Sequence, residues 1–331
     1  MLGQRFATRI NSFASGAAGY WPELTGRPSL AQLVRRASSV DGLTELDLNF
    51  PDHFEQDPVE IGKMVAACGL GLSGLAMRYY SRPEFKRGAF TNPDRAIRRA
   101  AIDLTKRGID AARSMGAPMV TLWLGQDGYD YAFQCDYPSL WSDEIEAIAE
   151  VAAHDKDCLI SIEYKPNEPR AYAVMPDAAT TLLAIREVGA ANLGVTLDFA
   201  HALYADEQPA FAAALILRHS KLLGLHLNDG YGKRDDGLMV GAVHEQATLE
   251  LLREVHRGGF DGAIYFDTFP DASGLDPVEE CSANIRTVRR MLAAVVRLDG
   301  DNQLAAAQAS QNPVAAQEVA RQALAGTTLT F

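Results

Sequence analysis

Cys158-Leu-Ile-Ser-Ile-Glu163, Leu193-Gly-Val-Thr-Leu-Asp198, Leu222-Leu-Gly-Leu-His226 and Gly262-Ala-Ile-Tyr-Phe-Asp267 are four short apolar runs, and each ends on a carboxylate or an imidazole. The terminal residues stand 28 to 41 positions apart, the spacing of one strand-helix unit. A buried parallel strand reads as a nearly continuous apolar run, and a charge placed in it costs free energy unless something uses it. In a (β/α)8 barrel the strand ends form the floor of the active site, so polar residues there read as catalytic or ligating. Glu163, Asp198, His226 and Asp267 are therefore expected to converge on one metal.

Outward from these four runs the pattern repeats. Further strand-like segments occur near 6–13, 43–49, 70–77 and 118–124, giving eight in all, with helical patterns such as 93–115, 141–157 and 276–297 between them. Eight alternating units without a change of composition predict an α/β fold, a closed (β/α)8 TIM barrel over 1–298, rather than an open sheet. In the helical segment 93–115, Ile97, Ala101, Leu104, Ile109 and Ala112 recur at helical spacing, which is ordinary packing. From Asp299 the chain turns Ala- and Gln-rich, with helical stretches at 303–311 and 314–325 separated by Asn312-Pro313. This 299–331 tail follows the last barrel helix, and its apolar Leu329 and Phe331 predict packing at a subunit interface.

Charge and cysteine usage narrow the function class. Thirty-one basic residues against forty-three acidic ones give a formal net charge of −12, which opposes binding to nucleic acid. The nearest basic stripe, Arg95, Arg98, Arg99, Lys106 and Arg107, falls on a helix expected outside the barrel, where a solvated face is the simpler reading. Cys68, Cys135, Cys158 and Cys281 lack pair spacing and read as reduced thiols of a cytoplasmic protein. Neither a secretory signal pattern nor an apolar stretch of membrane-spanning length is present, so no membrane partner is expected.

The residues around the ligands carry a family resemblance. Glu163-Tyr-Lys165-Pro-Asn-Glu168-Pro resembles the Glu-Pro-Lys-Pro-Asn-Glu-Pro signature of xylose isomerase, differing at Tyr164. Trp123-Leu-Gly-Gln-Asp-Gly128-Tyr129 is similar to that family's Trp-Gly-Gly-Arg-Glu-Gly-Tyr run. Asp198-Phe-Ala-His201, and His226-Leu-Asn-Asp229 followed by Asp235-Asp236-Gly-Leu238, look more like the bacterial L-rhamnose isomerase branch of the same sugar isomerases. The resemblance implies that Glu163, Asp198, His226 and Asp267 hold a structural metal. His201 and Asp235 would be ligands of a second, catalytic metal. A further family aspartate, two positions after Asp235, is Gly237 here, so either Asp236 substitutes or the second site is weaker. Trp123 would be an apolar wall of a sugar pocket, with core packing as the alternative. His53 lies beyond the second strand, where xylose isomerases keep a histidine for ring opening, although the local motif differs.

Carboxylate and imidazole ligands suit Mn2+, with Mg2+, Co2+ or Zn2+ as alternatives. Such an ion stabilises the O1 and O2 oxygens of a sugar during C1–C2 hydrogen transfer, and Lys165 would offset the developing oxyanion. The expected activity is therefore aldose–ketose isomerisation of a monosaccharide, a pentose, a deoxyhexose or a branched pentose such as apiose, by a homodimer or homotetramer. A ketose 3-epimerase or an inosose-type dehydratase on the same barrel is the alternative. Glu168 and Arg170 either reach a partner's site or pair with each other, Arg78 either meets substrate or forms a rim ion pair, and His244 with Glu245 reads as a helix start.

Overall fold

In the computed structural model, which describes residues 4–326, the chain forms ten strands. These are β1 (Phe6–Arg9), β2 (Glu45–Phe50), β3 (Gly71–Met77), β4 (Met119–Trp123), β5 (Gly128–Tyr129), β6 (Leu159–Glu163), β7 (Tyr172–Ala173), β8 (Leu193–Asp198), β9 (Leu222–Leu227) and β10 (Ile264–Phe266). Eight of them close a parallel barrel in the order β1-β10-β9-β8-β6-β4-β3-β2. Each expected strand is present. The first is shorter than expected because the chain turns into a 3-10 helix at Ile10–Ala14, where Ser12 donates its hydroxyl hydrogen to Thr268 O.

Side-chain alternation sorts the strands into two layers. Leu46 and Leu48, Val120 and Leu122, Ile160 and Ile162, Val195 and Leu197, and Leu225 and Leu227 are buried in the core cluster that packs the helices onto the barrel. The residues between them face the interior. Near its middle these are small or polar: Ser161 and Thr196 share a hydroxyl hydrogen bond of 2.5 Å, and Gly224 faces Thr196. A Cβ at Gly224 would overlap the Thr196 side chain, so glycine is required for β8 and β9 to lie at this register. One step further along the same faces come Glu163, Asp198 and His226, with Asp198 and His226 direct register partners.

The helices begin where sequence chemistry places them. Asp94 accepts from Ala96 N at the start of Arg95–Met115, and the helix ends at Gly116 in a left-handed conformation. Asp136 and Pro138 start the next helix at Tyr137, four residues before the expected 141. The basic stripe on Arg95–Met115 is partly ion-paired on the barrel's outside: Arg98 lies 3.3 Å from Asp143, and Lys106 and Arg99 both meet Glu150.

The tail forms helices Asn302–Ala309 and Pro313–Ala325. Leu304, Ala307, Val319, Ala323 and Leu324 are buried, and Arg297 of the barrel helix Pro277–Asp299 donates to Ala323 O at 2.8 Å. The described part of the tail thus packs on its own chain. Leu329 and Phe331, which carried the expectation of a subunit contact, lie outside the described residues.

Candidate metal centre and active site

Four ligands converge at the C-terminal mouth of the barrel. The ligating atoms of Glu163, Asp198, His226 and Asp267 all lie within 4.8 Å of one another. Each comes from a neighbouring strand end: β6, β8, β9 and the residue after β10. His226 Nδ1 is buried 3.4 Å from Glu163 Oε1 and 3.9 Å from Asp198 Oδ2, close enough for electrostatic attraction to Glu163 but without a hydrogen bond of good geometry. A buried imidazole nitrogen rarely lacks such a bond, and a cation at the centre of the cage would take its place. The donor set of three carboxylates and one imidazole fits a hard or borderline divalent ion.

Asp198 is fixed from two directions. It caps the short helix Phe199–Tyr204 by accepting from His201 N at 2.9 Å, and Asn228 Nδ2 donates to both its oxygens at 3.1 and 3.2 Å. Asn228 also donates to Asp267 O and accepts from Ala200 N, which ties three ligand-bearing strands together. Such supporting contacts aim metal ligands and resist their drift.

Beside the cage stands a second polar group. Asp235 Oδ2 lies 3.1 Å from Lys165 Nζ and 3.2 Å from His201 Nε2, while Glu168 closes on Lys165 at 3.0 Å. His201 Nδ1 lies 3.0 Å from Tyr164 O and 3.7 Å from Glu163. Asp235 Oδ1 is buried with no partner. Trp123 forms a wall, its ring 5.4 Å from Lys165 Nζ and edge-on to Tyr80 at 5.3 Å.

Electrostatics bind the cage to its neighbours. Burial disfavours the charged form of His226, but Glu163, Asp267 and Asp198 outweigh it and hold the imidazole at about 9. His201 also stands at about 9, because Asp198 and Asp235 overcome its desolvation. Burial drives Asp198 and Asp267 upward. It pushes Glu163 upward too, yet His226 and His201 leave that carboxyl below its ordinary range. Lys165 loses charge stability to burial and regains more from Asp235 and Glu168. The surrounding carboxylates thus favour positive charge at this position.

A xylose isomerase-like TIM barrel family model matches residues 38–292. The chain belongs to this family. The xylose isomerase of Thermus thermophilus is 27% identical over 223 residues, covering 66% of this chain and 58% of that protein. The alignment thus spans rather more than half of that relative. Among solved structures, a D-tagatose 3-epimerase-like protein superposes with TM-score 0.69 at 14% identity, covering 88% of this chain and 98% of the other. An L-ribulose 3-epimerase does so with TM-score 0.69 at 15% identity, covering 90% and 97%. At such identities these two share the fold.

Within this xylose isomerase-like barrel, the expected residues fall into three groups. Glu163, Asp198, His226 and Asp267 form the cage, and Lys165, His201, Asp235 and Trp123 line the same cavity of about 350 Å³. His53 does not line it: its Nδ1 accepts from Asn49 N at 3.0 Å, and burial, followed by Arg78, lowers its pKa to about 4. This corrects the expected position of His53 on substrate, because the tight turn after β2 folds the ring back onto its own strand. Asp236 does not replace the missing second-site aspartate, since its carboxylate accepts from Tyr231 N and pairs with Arg234. Gly237 itself has φ 58°, and the Phe269 ring packs where a side chain would start. The residues left for a second ion are His201 and Asp235, with Glu163 beside them. Glu168 pairs with Lys165, Arg170 pairs with Asp130, and His244 is held by the buried Asp229 carboxylate.

Sequence reading missed Arg9, Asp47, Tyr265, Phe269 and Asp271, all of which line the cavity. Asp47 had a signal, the alternation Glu45-Leu-Asp47-Leu-Asn49, in which polar side chains face the barrel interior. Its carboxyl is pushed up to about 7 by burial, against the pull of His226 and Arg78.

Proposed function

We propose that the protein is a divalent-metal-dependent sugar isomerase that interconverts an aldose and a ketose. The observation that carries this reading is the cage in which His226 Nδ1 lacks a hydrogen bond of good geometry, next to Lys165, His201 and Asp235 in one cavity. Glu163, Asp198, His226 and Asp267 would hold the ion, Mn2+ by preference with Mg2+, Co2+ or Zn2+ as alternatives. When bound, it supplies Lewis-acid stabilisation of sugar oxygens.

The chain's own groups supply the rest. Lys165, kept protonated by Asp235 and Glu168, donates a hydrogen bond toward the O1 oxygen as negative charge develops there. His201 and Asp235 hold each other and fix the lysine's direction, or accept a second ion where Asp235 Oδ1 is free. Trp123 gives the sugar an apolar face and excludes water from one side. The combination Asp198-x-x-His201 with Lys165 supports placement nearest the L-rhamnose isomerase branch, with a pentose, a deoxyhexose or a branched pentose as substrate.

Gly237 in place of a second-site ligand favours a second reading, the single-ion chemistry of a ketose 3-epimerase or an inosose-type dehydratase. One assay separates them. Metal-stripped protein reloaded with each ion is incubated with aldopentoses, deoxyhexoses, apiose, ketohexoses and an inosose, and products are read by carbon NMR. Aldose–ketose conversion that disappears in Lys165→Ala and Asp235→Ala supports the isomerase. C3 epimers or dehydration with full activity in Asp235→Ala overturns it.

We also propose that the outer face of the tail, where Val314 is 79% exposed, meets a second subunit of a homodimer or homotetramer. Sedimentation equilibrium of the full chain and of a chain ending at residue 300 tests this, and a monomer in both refutes it.

A further inference from the structure

Three cationic side chains line the active-site cavity, and their pairing differs. Lys165 is engaged by two carboxylates at 3.0 and 3.1 Å. The Arg9 side chain, at the end of β1, only approaches Asp267 at 4.0 Å and Asp271 at 3.8 Å, and it lies against the Phe269 ring at 4.7 Å. The Arg78 side chain, directly after β3, has no hydrogen bond or ion pair with any described residue. Its guanidinium rests on the Tyr80 ring at 5.8 Å, and its Nε is enclosed without an acceptor.

Asp47, Glu163 and Asp267 act on the Arg78 guanidinium only through space, and a half-buried guanidinium with no acceptor in direct contact is a group that a ligand can complete. A neutral sugar would leave the guanidinium with no anion in direct contact. The guanidinium fork matches the spacing of carboxylate or phosphate oxygens, to which it binds through two parallel hydrogen bonds. The location also fits. Arg9 and Arg78 come from β1 and β3, which flank β2, whereas Lys165, His201 and Asp235 stand over β6, β8 and the loop after β9. A monosaccharide spanning the cavity with its reacting carbons at Lys165 would point its far end toward β1–β3.

We propose that the substrate is an acidic monosaccharide, whose carboxylate or phosphate at the end remote from the reacting carbons is bound by Arg78, with Arg9 beside it. This deepens the sugar isomerase reading and rests on it for the position of the reacting end. The subsite itself is defined by Arg78, with Arg9 on the same cavity wall, and is testable without turnover.

The test is equilibrium binding by titration calorimetry of four probes to the Mn-loaded protein: a hexuronate, its neutral methyl ester, a pentose 5-phosphate and the parent pentose. The acid of at least one pair is expected to bind tenfold or more tightly than its neutral partner. In Arg78→Gln that ratio should fall below about twofold while both neutral probes bind as before, and Arg9→Gln should reduce it partially. The uronate and phosphate arms show which anion the subsite accepts. Equal binding of acids and neutral partners overturns the proposal. So does a preference for acid that persists in Arg78→Gln but disappears when the metal is stripped, because the anion would then be seated in the cage. Arg78-dependent binding of an acid that is never converted to a ketose sustains the subsite and overturns only the isomerase reading.

Discussion

Lys165 joins the two halves of the site, since its ammonium is 3.1 Å from Asp235 and 5.4 Å from the Trp123 ring. Replacing it with methionine keeps the stem but removes the donor to O1, so kcat should fall about 10²- to 10³-fold, the usual loss for one oxyanion donor. Metal affinity measured by calorimetry should change little, because Lys165 is outside the cage; a kcat loss under threefold would remove it from the mechanism. The histidines give a pH prediction. His226 and His201 stand at about 9 in the metal-free fold, above the unfolded value near 6.5. Their stabilising contribution is therefore complete below about pH 6.5 and is lost as pH rises through about 9. Binding an ion through His226 needs neutral imidazole, so it should release at least about one proton at pH 7.5 and almost none from this residue above pH 10. Calorimetry in buffers of differing ionisation enthalpy measures that number, and a pH-independent value near zero would exclude His226 as a ligand. Glu163, Asp198, His226, Asp267 and Lys165 were legible because each breaks an apolar run or a proline-stiffened loop. Arg9 was not, and for Arg78 substrate contact and a rim ion pair stayed open, because an arginine after a strand has the same local sequence whether it pairs at the rim or turns inward.

At the level of elements, the site depends on registers set two residues below it. Gly224 lets β9 lie against Thr196 of β8, and this puts His226 opposite Asp198. Gly224→Ala forces the strands apart or shifts them, so stability should fall by about 1–3 kcal/mol, as for other overpacked interiors. Metal affinity should fall by at least tenfold, whereas a surface change such as Lys63→Ala should leave both unchanged. Chemical denaturation and metal titration of the two variants decide this, and normal metal affinity in Gly224→Ala would show that the cage tolerates strand displacement. The strand and helix positions were predictable from periodicity and caps, with Asp94, Asp136 and Asp301 each accepting from the first helical turn. The small β5–β7 sheet was not: it pairs two-residue segments 44 positions apart, too short to leave a pattern, and it ties the loop after Trp123 to the loop that carries Glu168.

For the whole molecule, barrel closure through β1 and β10 brings residues 9, 163, 226 and 267 to one cavity, with Asp198 buried beside it in the cage. An ion bound only by the closed barrel stabilises it by mass action, about 2.7 kcal/mol at a hundredfold excess over Kd. The melting temperature should therefore drop by roughly 5 °C on chelation and recover with Mn2+. Thermal denaturation with and without chelator checks this, and identical curves would mean the cage is not a metal site. Local pattern along the chain was enough to specify the barrel and the four residues that meet at its mouth, because apolar periodicity and the position of a charge at a strand end are local properties. Only in the folded chain does His53 turn back onto its own strand, Asp236 become engaged elsewhere, the described tail pack on its own barrel, and Arg78 face the cavity unpaired. Each of these depends on what lies opposite a side chain in space, and that partner is set by chain closure, not by neighbouring residues.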